Sequence, residues 1–278
     1  QGLARPDMNT LALSGGVSIN EREGTEFLDY NSSTSPFLRP FYANQIDISY
    51  EHYFTETDGA FAVALWNKDI TNFVGTLVEK DFDLTQIGID IPPLFDTNGV
   101  PIQFEDGNYT HAENNAEGGY MRGIEVSYNQ TFNFLPDLWS GLGANINWSY
   151  TDSEITRPSA VPGEAGQDAP LEGLSNRVFS GTLFYDYDER FNARVSVRNR
   201  GPYLSQQIAI GSAQSAYFNE ETIYSAQMSY NFTDNLQALV SVDNLTDEPN
   251  ISYFGDTNRT GTIQYFGRTI YFGVNYNL

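Results

Sequence analysis

The chain has 278 residues, of which 36 are acidic and 14 basic, giving a formal net charge of -22 at pH 7. That field excludes a nucleic-acid partner, because no basic stripe could outcompete it for phosphates. Cysteine is absent, which removes disulfides and thiolate sites, and no run of about 18 apolar residues exists to form a membrane-crossing helix.

The opening "QGLARPDMNT" is polar and has no signal-peptide pattern, so the expectation is a processed or partial product. From there one unit recurs, a segment in which apolar and polar residues alternate with period two, as in strands with two different faces. Nine such strands are expected, near 43–54, 60–78, 119–132, 138–152, 175–187, 190–204, 220–232, 236–247 and 264–278. Ile46, Ile48 and Tyr50 alternate with Asp47, Ser49 and Glu51; Leu142, Ala144, Ile146 and Trp148 with Asn145, Asn147 and Ser149. The last run, Ile270, Phe272, Val274, Tyr276 and Leu278, carries the alternation to the terminus, where an ordinary soluble domain frays.

Short connections ("TETDG", "NFLPD", "DE", "TDN") alternate with long ones, near 1–42, 79–118, 153–174, 205–219 and 248–263. Antiparallel strands crossing a slab produce this rule, with tight turns on one side and elaborate loops on the other. Sandwiches rarely keep it. The chain holds 18 Tyr and 19 Phe, and many sit near the ends of the apolar stripes, as at Tyr50 and Phe54, Trp148 and Tyr150, and Tyr230 and Phe232. Rims of amphipathic aromatics mark a lipid-facing band. The rival account is a soluble β-sandwich with aromatic cross-strand pairs. A sheet in lipid must close, since an open edge leaves backbone groups unpaired. Nine strands is an odd number, while single-chain bacterial barrels are even, so the chain reads as part of a larger barrel.

Four motifs then stand in order: "SPFLRPFYANQIDISYEHYF" at 35–54, "VALWNKDITNFV" at 63–74, "GGYMRGIEVSYNQTFNFLP" at 118–136, and "SVDNLTDEP" at 241–249 followed by "YFGRTIYFGVNYNL". Together they resemble the last nine strands of an outer-membrane TonB-dependent receptor, in the proteobacterial carbohydrate-type branch. The terminal stretch is similar to the signal read by the barrel-assembly machinery, with Leu278 where the family usually ends in Phe.

The resemblance implies an all-β fold: an antiparallel transmembrane β-barrel of about 22 strands, of which residues 1–278 supply about nine at the C-terminal end. It implies a bacterial outer-membrane location with the C-terminus facing the periplasm and the long loops outside. A plug domain, a TonB box and the remaining strands would lie outside this chain, or the chain would be one piece of a nicked or split receptor. The implied partners are the TonB–ExbB–ExbD energy-coupling complex, outer-membrane lipid and lipopolysaccharide, the plug, and a small-molecule nutrient. The implied function is active import of an oligosaccharide of the maltodextrin kind. The alternatives are a ferric-siderophore receptor, whose anionic cargo the acidic loops would repel, and a passive porin.

Sugar capture needs aromatic platforms with amide and acid neighbours. The loop candidates are Tyr30, Phe37, Tyr109, His111, Asn114, Asn115, Tyr203, Tyr217, Tyr253 and Phe254, with Phe95 and Phe104 in the same loops. For any one of these rings, loop packing is the default reading. On the polar strand faces, Asp47, Glu51, Glu125, Arg194, Arg198 and Arg200 are expected to line the lumen and pair with the plug in preference to forming an anion ladder. Glu21, Glu23, Glu26 and Asp29 read as a solvated acidic loop. "DTNG" at 96–99 reads as a turn with Gly99 at positive φ, since the further ligands of a calcium loop are missing. Enzymatic chemistry finds no support: His52 and His111 form no zinc cluster, and "GLGAN" lacks the third glycine of a dinucleotide fingerprint. No cofactor and no metal are expected.

Overall fold

The computed structural model describes residues 2–277 apart from 13, 116, 117, 158–165, 189 and 211, and does not describe the side chains of 115, 157, 167 and 206–214. Nine long strands make a wall: β1 (Phe41–Phe54), β2 (Gly59–Thr71), β3 (Gly119–Thr131), β4 (Leu142–Arg157), β5 (Arg177–Tyr187), β6 (Phe191–Arg200), β7 (Glu221–Thr233), β8 (Leu236–Asp243) and β9 (Thr269–Tyr276). They lie in chain order, each antiparallel to the next. The short strand Gly2–Ala4 extends the β1 edge, pairing Leu3 with Tyr42, so residues placed within the first long loop by the sequence already belong to the sheet. Among the described residues the sheet is open, with Gly2–Ala4 at one edge and β9 at the other. Leu278 lies outside the described residues.

Register separates the two faces. Tyr50, Val63, Val126, Trp148 and Phe179 form one continuous row across β1–β5, and Val195, Ala226, Val242 and Ile270 another across β6–β9. The alternate row, Ser49, Ala64, Glu125, Ser149, Val178, Arg200 and Glu221, is largely polar or small. Among the described residues nothing covers the apolar face: Ile46, Ile48, Phe272 and Val274 are all more than half exposed. An apolar surface this continuous marks a lipid or protein contact.

The short turns use residues that tolerate a left-handed backbone. Asp58 (φ 48), Asp137 (φ 49) and Asp188 (φ 50) each reverse the chain within a few residues. The other end of the wall is elaborate. Residues Gly16–Arg22, Thr25–Asn31, Glu105–Asn115 and Phe73–Glu79 make one four-stranded sheet; Tyr203–Ile210, Ser212–Phe218, Asn250–Phe254 and Thr260–Gln264 make a second. Among the described residues the largest fully buried side chains, Ile155 and Leu204, belong to this end rather than to the wall's middle.

Several expected strands are corrected here; residues 138–141 belong to a 3-10 turn while β4 runs on to Arg157, and β8 ends at Asp243 rather than 247. The run 60–78 breaks at Asn72 (φ 61), where the chain leaves the wall for the first loop sheet. The run 190–204 breaks at Gly201–Pro202, because Pro202 has no N–H to donate to the ladder. The last strand begins at Thr269 rather than 264.

Candidate ligand site at the long-loop end

The first loop sheet is organised around Asp29, which is 5 % exposed. Its carboxylate accepts from the Asn108 amide at 2.7 Å, from Asn20 Nδ2 at 2.7 Å and from Arg22. Burial pushes the carboxyl up, but the Asn108, Arg22 and Asn20 bonds outweigh it and hold the group below the usual range. Gly107 permits the approach, since a Cβ there would meet Asp29 and the Leu28 carbonyl. Over this base an aromatic column forms. Phe82 stacks on Tyr109 at 4.5 Å between centroids, His111 stacks on the same ring at 4.2 Å, and Tyr30 tilts against it at 5.6 Å. Glu79 and Glu113 flank His111, each 3.8 Å from one imidazole nitrogen. Burial, Tyr30 and the two carboxylates raise the Tyr109 hydroxyl above its ordinary pKa.

In the second loop sheet, Tyr203 is stacked on Phe218 at 5.2 Å, and the Arg200 guanidinium lies 3.7 Å from the Tyr203 centroid. Arg200 also donates to the Gly173 carbonyl at 2.6 Å. Tyr217 and Tyr253 pair across two strands, 5.3 Å apart and 12° from parallel. Phe254 follows Tyr253 and pairs with Ala216.

The structure therefore brings Tyr30, Tyr109 and His111 into one column and Tyr217 and Tyr253 into one stack. Asn114 is a clasp: it bonds both backbone groups of Arg39 and the Asn72 carbonyl. The side chain of Asn115 lies outside the described residues. Phe37, 87 % exposed, has its ring free of the columns. Sequence reasoning missed Phe82 and Phe218, which complete the stacks, and the exposed pair Tyr265 and Phe266. Nothing in the alternation marks the first two, while Tyr265 and Phe266 were absorbed into an expected strand.

The polar wall face carries both signs of charge, with Lys68 on β2 and with Asp186 and Glu221 on the strands that flank β6. Asp47, Glu51 and Glu125 stand on β1–β3, and Arg194, Arg198 and Arg200 on β6, with Ser149, Ser180 and Val178 between them in the rows. Glu125 accepts from Trp66 Nε1 at 3.1 Å, Arg198 lies 3.5 Å from Glu221, and Arg194 bonds the neutral Gln227. Among the described residues no group of three or more His, Cys, Asp or Glu could hold a metal. Asp96 accepts from the amides of Asn98 and Val100, and Gly99 has φ 78, so "DTNG" is a turn. "GLGAN" enters β4 directly, with no helix to receive a phosphate.

A family model described as TonB dependent receptor-like, beta-barrel, matches residues 1–245. The chain belongs to that family. Its members are outer-membrane β-barrel receptors that work with TonB, and they are transporters rather than enzymes. The all-β, antiparallel, partial-barrel fold expected from the sequence is the one observed. No helix among the described residues is long and apolar enough to cross a membrane.

Among solved structures, a mutant of the ferric enterobactin receptor PfeA from Pseudomonas aeruginosa is similar over 99% of this chain and 36% of its own, with 13% identity and a TM-score of 0.61. The siderophore receptor PirA from Acinetobacter baumannii is similar over 90% of this chain and 33% of its own, at 13% identity and a TM-score of 0.59. The pyoverdine receptor FpvA from Pseudomonas aeruginosa PAO1 gives 95%, 33%, 11% and 0.57 in the same order. The chain thus spans about a third of the length of each of these receptors. At such identities the likeness is one of fold, and the carbohydrate-type branch expected from the sequence has no counterpart among these structures.

Proposed function

We propose that the chain is the C-terminal wall of a TonB-dependent importer whose cargo is a neutral oligosaccharide of the maltodextrin kind. The observation that carries this is the chemistry of the long-loop end, where stacked aromatics and amides are set in a strongly acidic surface. Glu21, Glu23, Glu26, Asp81, Asp83, Glu105 and Asp106 lie on the strands and connections of the first loop sheet, and such a surface tolerates a neutral ligand better than an anionic chelate. In this reading Phe37 stacks on a sugar ring, and Tyr30, Tyr109, His111, Asn114 and Asn115 shape the near wall of the site. Tyr203, Tyr217, Tyr253 and Phe254 shape the far wall.

The long-loop end faces outward and the C-terminus faces the periplasm. A plug from the rest of the receptor packs against Asp47, Glu51, Glu125, Arg194, Arg198 and Arg200. Energy reaches it from TonB with ExbB and ExbD. A ferric siderophore is the second reading, and the ligands named for PfeA and FpvA bring it here. Uptake of labelled maltodextrin and of ferric siderophore by cells expressing the full receptor decides between them, with and without a dissipated proton gradient. Gradient-dependent maltodextrin uptake supports the proposal. Gradient-dependent iron uptake alone supports the second reading, and gradient-independent flux of either overturns energy coupling in favour of a porin.

A further inference from the structure

The polar face of the wall changes character toward the short turns. Nearer the long loops it holds two clefts with formal charge in their linings, one of about 350 Å³ with Glu51 and Glu125 and one of about 310 Å³ with Arg194 and Asp243. At the short-turn end of β7–β9 lies a third, of about 610 Å³, lined by the amides of Asn231, Asn235, Gln237, Asn275 and Asn277, with Asp234 as the charged residue of its lining. The amides form a ladder. Asn231, Gln237 and Asn275 stand opposite one another on β7, β8 and β9. Asn275 Nδ2 donates to Gln237 Oε1 at 3.2 Å, and Gln237 Nε2 donates to Asn231 Oδ1 at 2.9 Å. A clasp fixes the lower border: the Asn277 amide donates to the Asn235 carbonyl at 2.9 Å, and Asn235 Nδ2 to the Asn277 carbonyl at 2.7 Å. Strand parity puts Tyr271, Gly273 and Asn275 on one face. The Tyr271 ring, 57% exposed, lies over Gly273, where a Cβ would come within 3.0 Å of it. An exposed aromatic face therefore stands directly above the amide row.

We propose that this cleft is an exit subsite for a neutral polyhydroxyl ligand, with a sugar ring on Tyr271 and its hydroxyls exchanging hydrogen bonds with Gln237 and Asn275. The inference rests on the maltodextrin reading above and adds to it a second site, at the end that reading turns to the periplasm. An amide carries donor and acceptor together, as a hydroxyl does, so the two can pair in either sense. The ladder commits one N–H of Gln237 and one of Asn275, which leaves a second N–H on each, and Asn275 Oδ1, for the ligand. Neutral partners also suit release, because hydrogen bonds to charged groups are about twice as strong and would hold the cargo longer. The two clefts nearer the loops carry such charges; this one is built from amides.

The test is photolabelling of cells expressing the full receptor, with a maltodextrin that carries a diazirine. During energised uptake, adducts are expected on the segments 231–237 and 269–277; with the proton gradient dissipated they are expected on the long loops alone. Gln237→Met keeps the side-chain length and removes the amide. Per folded receptor in the outer membrane, it is expected to slow energised maltodextrin uptake about tenfold, the loss of one or two hydrogen bonds, and to leave maltodextrin binding by de-energised cells unchanged. Gradient-dependent uptake with adducts on the loops alone, or undiminished uptake by Gln237→Met, overturns the exit subsite and leaves the importer reading standing. Absence of gradient-dependent maltodextrin uptake by the wild type overturns both, and the wild-type labelling decides the matter if Gln237→Met fails to fold.

Discussion

Asn114 and Arg39, 75 residues apart, hold each other at two points: the Arg39 amide donates to Asn114 Oδ1 at 2.6 Å, and Asn114 Nδ2 donates to the Arg39 carbonyl at 3.0 Å. A further bond to the Asn72 carbonyl at 2.9 Å ties in the end of β2. One side chain thus joins the descending limb of the first long loop to the ascending limb of the second. Asn114→Ala is expected to weaken that junction by about 3 kcal/mol, one unit per bond. Hydrogen exchange should show faster exchange at Arg39 and its neighbours, with the wall strands unaffected.

Asp29 gives the loop sheet an acid limit. Its folded-state pKa is depressed, so its contribution is fully present above the ordinary value near 3.8 and is lost as pH falls below that toward the folded value. The Asn108 amide should therefore remain protected from exchange at neutral pH and lose protection below about pH 3.8. Asp29→Asn should show the weakened state at every pH.

Gly118 occupies a backbone conformation, φ 67, that side chains rarely adopt, and a Cβ there would meet the Ile70 carbonyl oxygen. Gly118→Ala is expected to cost roughly 1–3 kcal/mol, and more if Ile70 must shift. Lowered thermal stability of the detergent-solubilised receptor would register it.

Phe37 and Tyr217 separate platform from packing. The Tyr217 ring is engaged by Tyr253, whereas Phe37 is exposed. Removing the Phe37 ring with Phe37→Ala should weaken oligosaccharide binding by about tenfold or more, the loss expected when a buried ring contact disappears. Tyr217→Phe keeps the stack and should bind as wild type. Calorimetric titration of the full receptor reads both.

The wall was legible because each strand is a local period-two pattern with an exposed apolar face; the expected 119–132 and the observed Gly119–Thr131 differ by one residue. The loop sheets were not. Thr25–Asn31 pairs in parallel with Glu105–Asn115, a contact between distant segments that no local period encodes. The break at Asn72 was hidden because alternation resumes immediately in Phe73–Glu79. Aromatic composition placed Tyr30, Tyr109, Tyr217 and Tyr253 in the loops, yet it could not tell a ring stacked on another ring from one left free. Glu51, Glu125, Arg194 and Arg198 share parity with their strands' small and polar positions, a relation that the local alternation carries by itself.

The central claim is that this wall spans the outer membrane with its long loops outside. The chain has no cysteine, so each substitution introduces the one thiol of this segment, and the unsubstituted receptor is the labelling blank. The deciding measurement is labelling of intact cells with a membrane-impermeant maleimide at Phe37→Cys, Asp234→Cys and Val240→Cys in the full receptor. The account predicts labelling at 37 in intact cells, labelling at 234 only after the outer membrane is permeabilised, and protection at 240 in both cases. Labelling at 234 in intact cells, or at 240 as readily as at 37, would contradict it.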